Sequence, residues 1–298
     1  MKLNNIDVFT TSRCNFSCSH CAVKSHHFGN NRTSIGDADA CAILDFIINN
    51  EVEEIRFTGG EPTLEIDTIN TLIVKALQIK PKLKTSIMTN SWFSSTYDKC
   101  KDTLKKIDNL SSILISYDKF HSQFLPLSNL DVIKKYCDDY KISLNIAYCI
   151  ESPMDLIEMK KIEDETGIEC SYQNILPIKH ALNNNCYYKY NYFDKKVLQE
   201  SCPNTQSLIY YPGLGFSQCC GSLLFNNSNK IAEKVCSAKI EKYMVSRFFI
   251  LLNNYNFGDL VEMAGIKEDE YISNHTISCN LCNHIFCRLF EQGGLSEK

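Results

Sequence analysis

Along the first two thirds of the chain, short runs rich in β-branched and aromatic residues alternate with longer stretches whose apolar positions recur every three or four residues. The short runs lie at 6–11, 54–57, 85–89, 113–116, 143–148 and 169–175 and have the composition and length of buried strands. The intervening stretches, 37–49, 65–79, 95–106, 128–140 and 154–166, have helical periodicity. In the first of these, Ala40, Ile43, Leu44 and Ile47 fall on one face, and Asp37 or Ser34 is placed to cap its start. Six strands alternating with five helices predict an α/β fold with a parallel sheet and right-handed crossovers. An open doubly wound sheet and a partial barrel both satisfy that pattern. In either, active sites gather at the C-terminal ends of the strands. The segments 14–21, 59–62, Asn90-Ser91 and Ser116-Tyr117-Asp118 all follow strands on that side.

Beyond about residue 177 the alternation stops. Residues 183–193 are polar and tyrosine-rich and read as a loop. A helix is expected over 231–254 and a short one over 257–264. The organisation predicted is a domain over 1–182, a linker over 183–200 and a cysteine-bearing domain over 201–298. With 298 residues, 44% hydrophobic and 22% charged, the chain is long enough for one large and one smaller core. A net charge of -4 gives no basic footprint for nucleic acid. No apolar run approaches the ~20 residues of a membrane span, and the N-terminus lacks the basic region and apolar core of a signal peptide. A cytoplasmic protein is therefore expected. Its 16 cysteines then point to metal or redox chemistry, since disulfides belong to oxidising compartments.

Those cysteines are not scattered evenly. Cys14, Cys18 and Cys21 stand at Cys-x3-Cys-x2-Cys spacing directly after the first strand. A structural zinc site wants four ligands. Three thiolates on one loop suit three irons of a [4Fe–4S] cube and leave the fourth open. One βα unit later comes Thr58-Gly59-Gly60-Glu61-Pro62, two glycines that let backbone approach a ligand beside a carboxylate able to accept from an amine. This pair of motifs resembles the radical S-adenosylmethionine (radical SAM) enzymes. The resemblance implies a partial (βα)6 TIM-like barrel and S-adenosylmethionine chelated at the open iron. It also implies that Gly59, Gly60 and Glu61 bind the cofactor's amino group and that Asn90, Ser91, Ser116 and Asn145 touch its carboxylate or ribose. An external electron donor such as flavodoxin or ferredoxin is expected with it. The bland reading is zinc or core thiols at 14–21 and helix caps at the strand ends.

A second cysteine set occupies the last hundred residues. Cys279 and Cys282 form a Cys-x2-Cys pair, and Cys202 and the adjacent Cys219-Cys220 add thiols across a hairpin-like segment turning at Pro212-Gly213. The set resembles the C-terminal SPASM or twitch domain, which implies at least one auxiliary [4Fe–4S] cluster; a four-cysteine zinc site uses the same spacing rules. Successive side chains of an extended segment point apart, so one member of the dyad is expected to stay free. Cys236 and Cys287 are expected to be core thiols. With Tyr117, Asp118 and His121, this pattern is most similar to radical SAM peptidyl epimerases. That likeness implies a ribosomal precursor peptide as substrate, with Tyr117, Asp118 and His121 in its cleft. Cys202, Cys219, Cys279 and Cys282 would hold the cluster, and Cys220 would return a hydrogen to Cα. The segment Asn204-Thr205-Gln206-Ser207 lacks the acid those enzymes carry before the dyad. The chain starts at the first strand, so peptide recognition is expected to use the barrel cleft, the C-terminal region or a partner. The alternatives are a maturase forming thioether or carbon–carbon crosslinks and a zinc-stabilised binding module.

Overall fold

A computed structural model describes residues 4–23, 27–28, 31–189, 193–204, 207–225, 229–272 and 277–293. Five βα units and a sixth strand build the first part: β1 (Asn5–Thr11), α1 (Asp37–Asn49), β2 (Glu54–Gly59), α2 (Ile66–Ile79), β3 (Lys84–Thr89), α3 (Tyr97–Leu104), β4 (Leu110–Ser116), α4 (Ser128–Tyr140), β5 (Ser143–Ile150), α5 (Asp155–Thr166) and β6 (Cys170–Asn174). Each helix forms where one apolar stripe meets the sheet. In α2 the buried stripe is Ile69, Leu72, Ile73 and Ala76, the i, i+3, i+4, i+7 spacing of a single face. Thr96 caps α3 by accepting from Lys99 N, and Lys141 closes α4 in the left-handed region with φ 56°.

The strands pair in parallel from β1 to β6, as the periodicity predicts, and β7 (Ser207–Tyr211) adds itself in parallel on the other side of β1. β8 (Gly215–Ser217) folds back antiparallel through the Pro212-Gly213 turn, where Gly213 has φ 66°. The sheet therefore runs β6-β5-β4-β3-β2-β1-β7-β8. This mixed α/β sheet is the partial-barrel architecture. The C-terminal segment is stitched to it by Asp39 of α1. That buried carboxylate accepts from Tyr210 Oη (2.9 Å), Gly213 N (3.1 Å) and Arg32 Nη1 (2.7 Å).

After β6 come α6 (Lys179–Asn183), a 3-10 turn at Lys195–Gln199, and, past β8, α7 (Ser222–Phe225), α8 (Asn229–Val235), α9 (Ile240–Met244), α10 (Arg247–Asn254), α11 (Phe257–Met263), α12 (Glu268–Tyr271) and α13 (Ser278–Glu291). The single helix expected over 231–254 is three. Ser237 leaves the helix to exchange two backbone hydrogen bonds with Phe216 of β8 (2.7 and 3.0 Å), and Ser246 restarts it by accepting from Phe249 N. A sheet edge outcompetes local periodicity there. No helix among the described residues is long and apolar enough to cross a membrane.

Candidate active site

The loop after β1 carries the first cysteine trio and is shaped by its contact with β2. Gly59 has φ 140°, and Gly60 N and Glu61 N donate to Thr11 O (2.5 Å) and Arg13 O (2.8 Å). A Cβ at Gly60 would lie 2.7 Å from the Arg13 carbonyl carbon and 2.9 Å from that of Ser12. No side chain fits between the two loops, which fixes the Gly-Gly turn against the cysteine loop. Within that loop Phe16 N and Val23 N point at the Sγ atoms of Cys14 and Cys21, each at 3.4 Å. Asn90 Nδ2 approaches Cys14 Sγ at 3.6 Å. Donors so placed favour thiolates. Burial works against them: it raises Cys14 and pushes Cys18 up to about 12. For Cys14 and Cys18, a bound cation would favour the ionised form that burial opposes.

All three face one cavity of about 260 Å³ at the C-terminal strand ends. Of the residues singled out in the sequence, Gly59, Gly60, Asn90, Ser116, His121 and Cys220 line it as well. Glu61 lies below it, fully buried. Its carboxylate accepts from Thr63 N (3.0 Å), Thr63 Oγ1 (2.5 Å), Thr89 Oγ1 (2.8 Å) and Asn90 N (2.8 Å). Burial raises Glu61, and those four donors pull it back. Its visible work is to knot the glycine turn to the end of β3. Ser91 is also buried, with φ 57°, and its hydroxyl meets Ser94 Oγ at 2.9 Å. Tyr117 and Asn145 do not reach the cavity wall. Asn145 is on the β5 face that ends in Cys149, about 13 Å further down the strand. The structure places Cys149 and Gln173 in the wall, with Gln173 Nε2 3.2 Å from Cys149 Sγ. Carrying the strand alternation of β5 to residue 150 finds Cys149; β6 carries no such signal for Gln173.

Asp118 is fully buried beside the cavity. Its oxygens accept from Phe120 N (2.8 Å), His121 N (3.1 Å) and Cys149 N (3.3 Å). Burial would raise this acid, but the His121 ring and the backbone donors hold it down at about 2. His121 Nδ1 sits 2.9 Å away without the alignment of a hydrogen bond. His20 comes within the same 4.8 Å grouping and is pushed down to about 4 by burial. With three backbone donors on its two oxygens, Asp118 reads as the organiser of the 118–122 turn. Phe16, between Cys14 and Cys18, stacks on Phe124 with ring centroids 5.0 Å apart.

The second thiol set converges too. A smaller pocket is lined by Cys202, Cys219, Cys220, Cys279 and Cys282, with Phe248 and Leu252 as its apolar wall. Cys279 and Cys282 share a face of α13 at i, i+3 spacing. Tyr211 Oη donates to Cys219 O (2.9 Å), and Cys219 N donates to Ser217 Oγ (3.1 Å), so the dyad's backbone is held rigidly. Cys220 lines both this pocket and the larger cavity. Cys220 is the solvent-exposed member of the dyad, and an ordinary thiol keeps its proton at neutral pH. Tetrahedral zinc with Zn–S of about 2.3 Å draws its sulfurs to about 3.8 Å from one another. Among the described residues no three thiols lie within 4.8 Å of one another. Neither set is drawn together as tightly as a tetrahedral zinc site would draw it. In the first, the glycine turn leaves room beside it for a ligand. Residues 190–192 of the tyrosine-rich loop lie outside the described residues, as do Thr205 and Gln206 before β7.

Residues 8–146 match the family model described as the Radical SAM superfamily. The putative peptide biosynthesis protein YydG of Bacillus subtilis (strain 168) is 23% identical over 94% of this chain and 91% of its own length. GTP 3',8-cyclase of Helicobacter pylori (strain ATCC 700392 / 26695) is 22% identical over 95% of this chain and 77% of its own. Among solved structures, native anSMEcpe with bound AdoMet superposes with a TM-score of 0.59 at 13% identity, covering 97% of both chains. BtrN in complex with AdoMet and 2-DOIA gives 0.52 at 14%, covering 93% of this chain and 97% of that one. These likenesses establish a shared fold.

Proposed function

Residues 8–146 are a radical SAM domain, and from that premise we propose that this enzyme inverts residues of a ribosomally made peptide by removing a backbone Cα hydrogen and returning one from Cys220. When bound, S-adenosylmethionine and the [4Fe–4S] cluster supply a 5′-deoxyadenosyl radical by reductive cleavage. Cys14, Cys18 and Cys21 would hold that cluster. Gly59 and Gly60 give the cofactor backbone to lie against, and Asn90 and Ser116 offer it polar side chains from the same wall. Cys202, Cys219, Cys279 and Cys282 would hold an auxiliary [4Fe–4S] cluster behind the opposite wall. An external flavodoxin or ferredoxin would supply electrons. The C-terminal region from 201 serves as the auxiliary domain, with 1–182 as the barrel and 183–200 between them.

The observation that carries this reading is the position of Cys220. It opens into the same cavity as the thiol trio and also lines the smaller pocket of the C-terminal thiols. A thiol S–H facing a peptide radical from the side away from the abstracting group delivers its hydrogen to the other face of Cα. The peptide nature of the substrate is supported by the likeness to YydG over nearly the whole chain.

The test is product mass in heavy water with a candidate precursor peptide. Epimerisation adds one deuterium with no net oxidation. In Cys220→Ala, deoxyadenosine should still form while inverted product is lost; inverted product at the wild-type rate would remove Cys220 from the reaction. A product lighter by two hydrogens would assign crosslinking.

A further inference from the structure

The sheet has two edges, and the chain treats them differently. At β8, Phe216 exchanges two main-chain hydrogen bonds with Ser237 (2.7 and 3.0 Å), so that edge is already paired. At the other end stands β6, which has β5 on one side and no strand on the other among the described residues. Sheet edges are ordinarily blunted by proline, by charged side chains or by a covering segment. The five residues of β6 carry neither proline nor charge, and Ser171, Tyr172 and Gln173 are exposed.

The register decides which groups face outward. Glu169 O accepts from Ile146 N (2.9 Å) and Ile175 N donates to Ile150 O (3.1 Å), so residues 169, 171, 173 and 175 turn their main-chain groups toward β5. These directions alternate along a strand, so Cys170, Tyr172 and Asn174 turn N–H and C=O to the open side. No main-chain group among the described residues meets them there. The strand ends in the site itself. Gln173 and Asn174, with Ile175 and Leu176 after them, line the cavity shared by the first thiol trio and Cys220. Tyr172, 57% exposed, stands just before this end.

We propose that the open edge of β6 takes the substrate peptide as an added strand and leads its next residues into the cavity. This deepens the reading of a peptide substrate and rests on it. Main-chain pairing suits an extended peptide, because every residue offers the same N–H and C=O while alternate side chains supply selectivity. A segment matching the five residues of β6 is about 17 Å long. The recognition segment therefore adjoins the residue to be modified. Pairing two such edges from two copies of the chain would by itself bury little beside what a stable dimer needs. For a peptide also held in the cavity, the same few hydrogen bonds fix its register.

The probe is a displayed library of random peptides about a dozen residues long, selected on the full chain and resynthesised with a fluorescent label for equilibrium binding. Methylating the main-chain nitrogens of a selected peptide one at a time should weaken binding about tenfold at alternate positions and leave those between them unchanged, since only every second N–H points to β6. Tyr172→Pro removes one outward N–H from an edge, where proline is tolerated, and should weaken the same peptides about tenfold. Tyr172→Ala keeps that N–H and should weaken them less. The methyl scan uses the wild-type chain, so it decides the matter even if Tyr172→Pro fails to fold. A selection that yields no peptide, or a scan without alternation, would overturn the proposal. So would a wild-type dimer in light scattering that Tyr172→Pro dissociates, because a second copy would then hold the edge. A candidate precursor peptide that binds with this alternation but comes through the mass test unchanged would count against the proposed reaction and for the edge. One that is inverted without any alternation in its scan would do the reverse.

Discussion

Replacing Glu61 distinguishes two kinds of work for the residue beside the glycine turn. If its carboxylate contacts a bound cofactor, its loss should weaken binding and leave the apo chain untouched. The geometry argues for a structural role. Oε1 accepts three bonds, from Thr63 N, Thr63 Oγ1 and Thr89 Oγ1, and Oε2 accepts one from Asn90 N. In Glu61→Gln the amide oxygen can keep the Oε1 set, while the amide nitrogen turns a donor toward Asn90 N. One buried bond is lost and a donor is left unpaired, a cost of about 1–3 kcal/mol. Glu61→Ala strands four donors in a fully buried site and should cost about 4 kcal/mol or more, even allowing for non-additivity. In a chain this long, each kcal/mol lowers Tm by roughly 2 °C. Thermal unfolding of the cluster-free protein by circular dichroism should then show a drop of about 2–6 °C for Gln and 8 °C or more for Ala. Asn90 should lose its hold on Cys14 in parallel. Unfolding midpoints within a degree of wild type, with cofactor binding alone impaired, would refute the structural assignment.

Cys14→Ala, Cys18→Ala and Cys21→Ala should each abolish deoxyadenosine formation, because each removes one of three anchors on a single cluster; activity surviving in any of them would exclude that residue. Gly60→Ala should cost about 3 kcal/mol or more and disrupt cofactor binding, since its methyl group would overlap the Arg13 backbone; an unaltered denaturation midpoint would show that the loops part easily. Asp7 is raised from 3.8 to about 6 by burial, so the folded state favours the protonated form. The stability it contributes is full below pH 3.8 and is lost as pH rises through 6, by about 3 kcal/mol in all. The Tm of wild type should therefore fall relative to Asp7→Asn between pH 4 and pH 7, and a constant difference across that range would contradict the raised value.

Much of this was legible without coordinates. The alternation of strand and helix periods points to six parallel strands, because short apolar runs recur between stretches that each show one helical stripe. The Cys-x3-Cys-x2-Cys and Gly-Gly-Glu segments are local, so their chemistry can be read from spacing alone. The Cys279/Cys282 pair is likewise visible as i, i+3 neighbours.

What needed the tertiary structure are the facts made by distant residues meeting. That β7 joins β1 depends on registers set across some two hundred residues of chain, and that Ser237 leaves its helix depends on a free edge at β8. Glu61 sits in a donor cage supplied by Thr63 and by the end of β3, which turns a motif residue into a structural knot. Cys220 and Cys219 are adjacent in sequence, yet only the packing of the C-terminal helices against the barrel lets one of them open into two cavities. Asp7 reads in the sequence as one polar residue in an apolar strand. Its weakened acidity comes from burial and from the charges of the neighbouring strand, which no local pattern encodes.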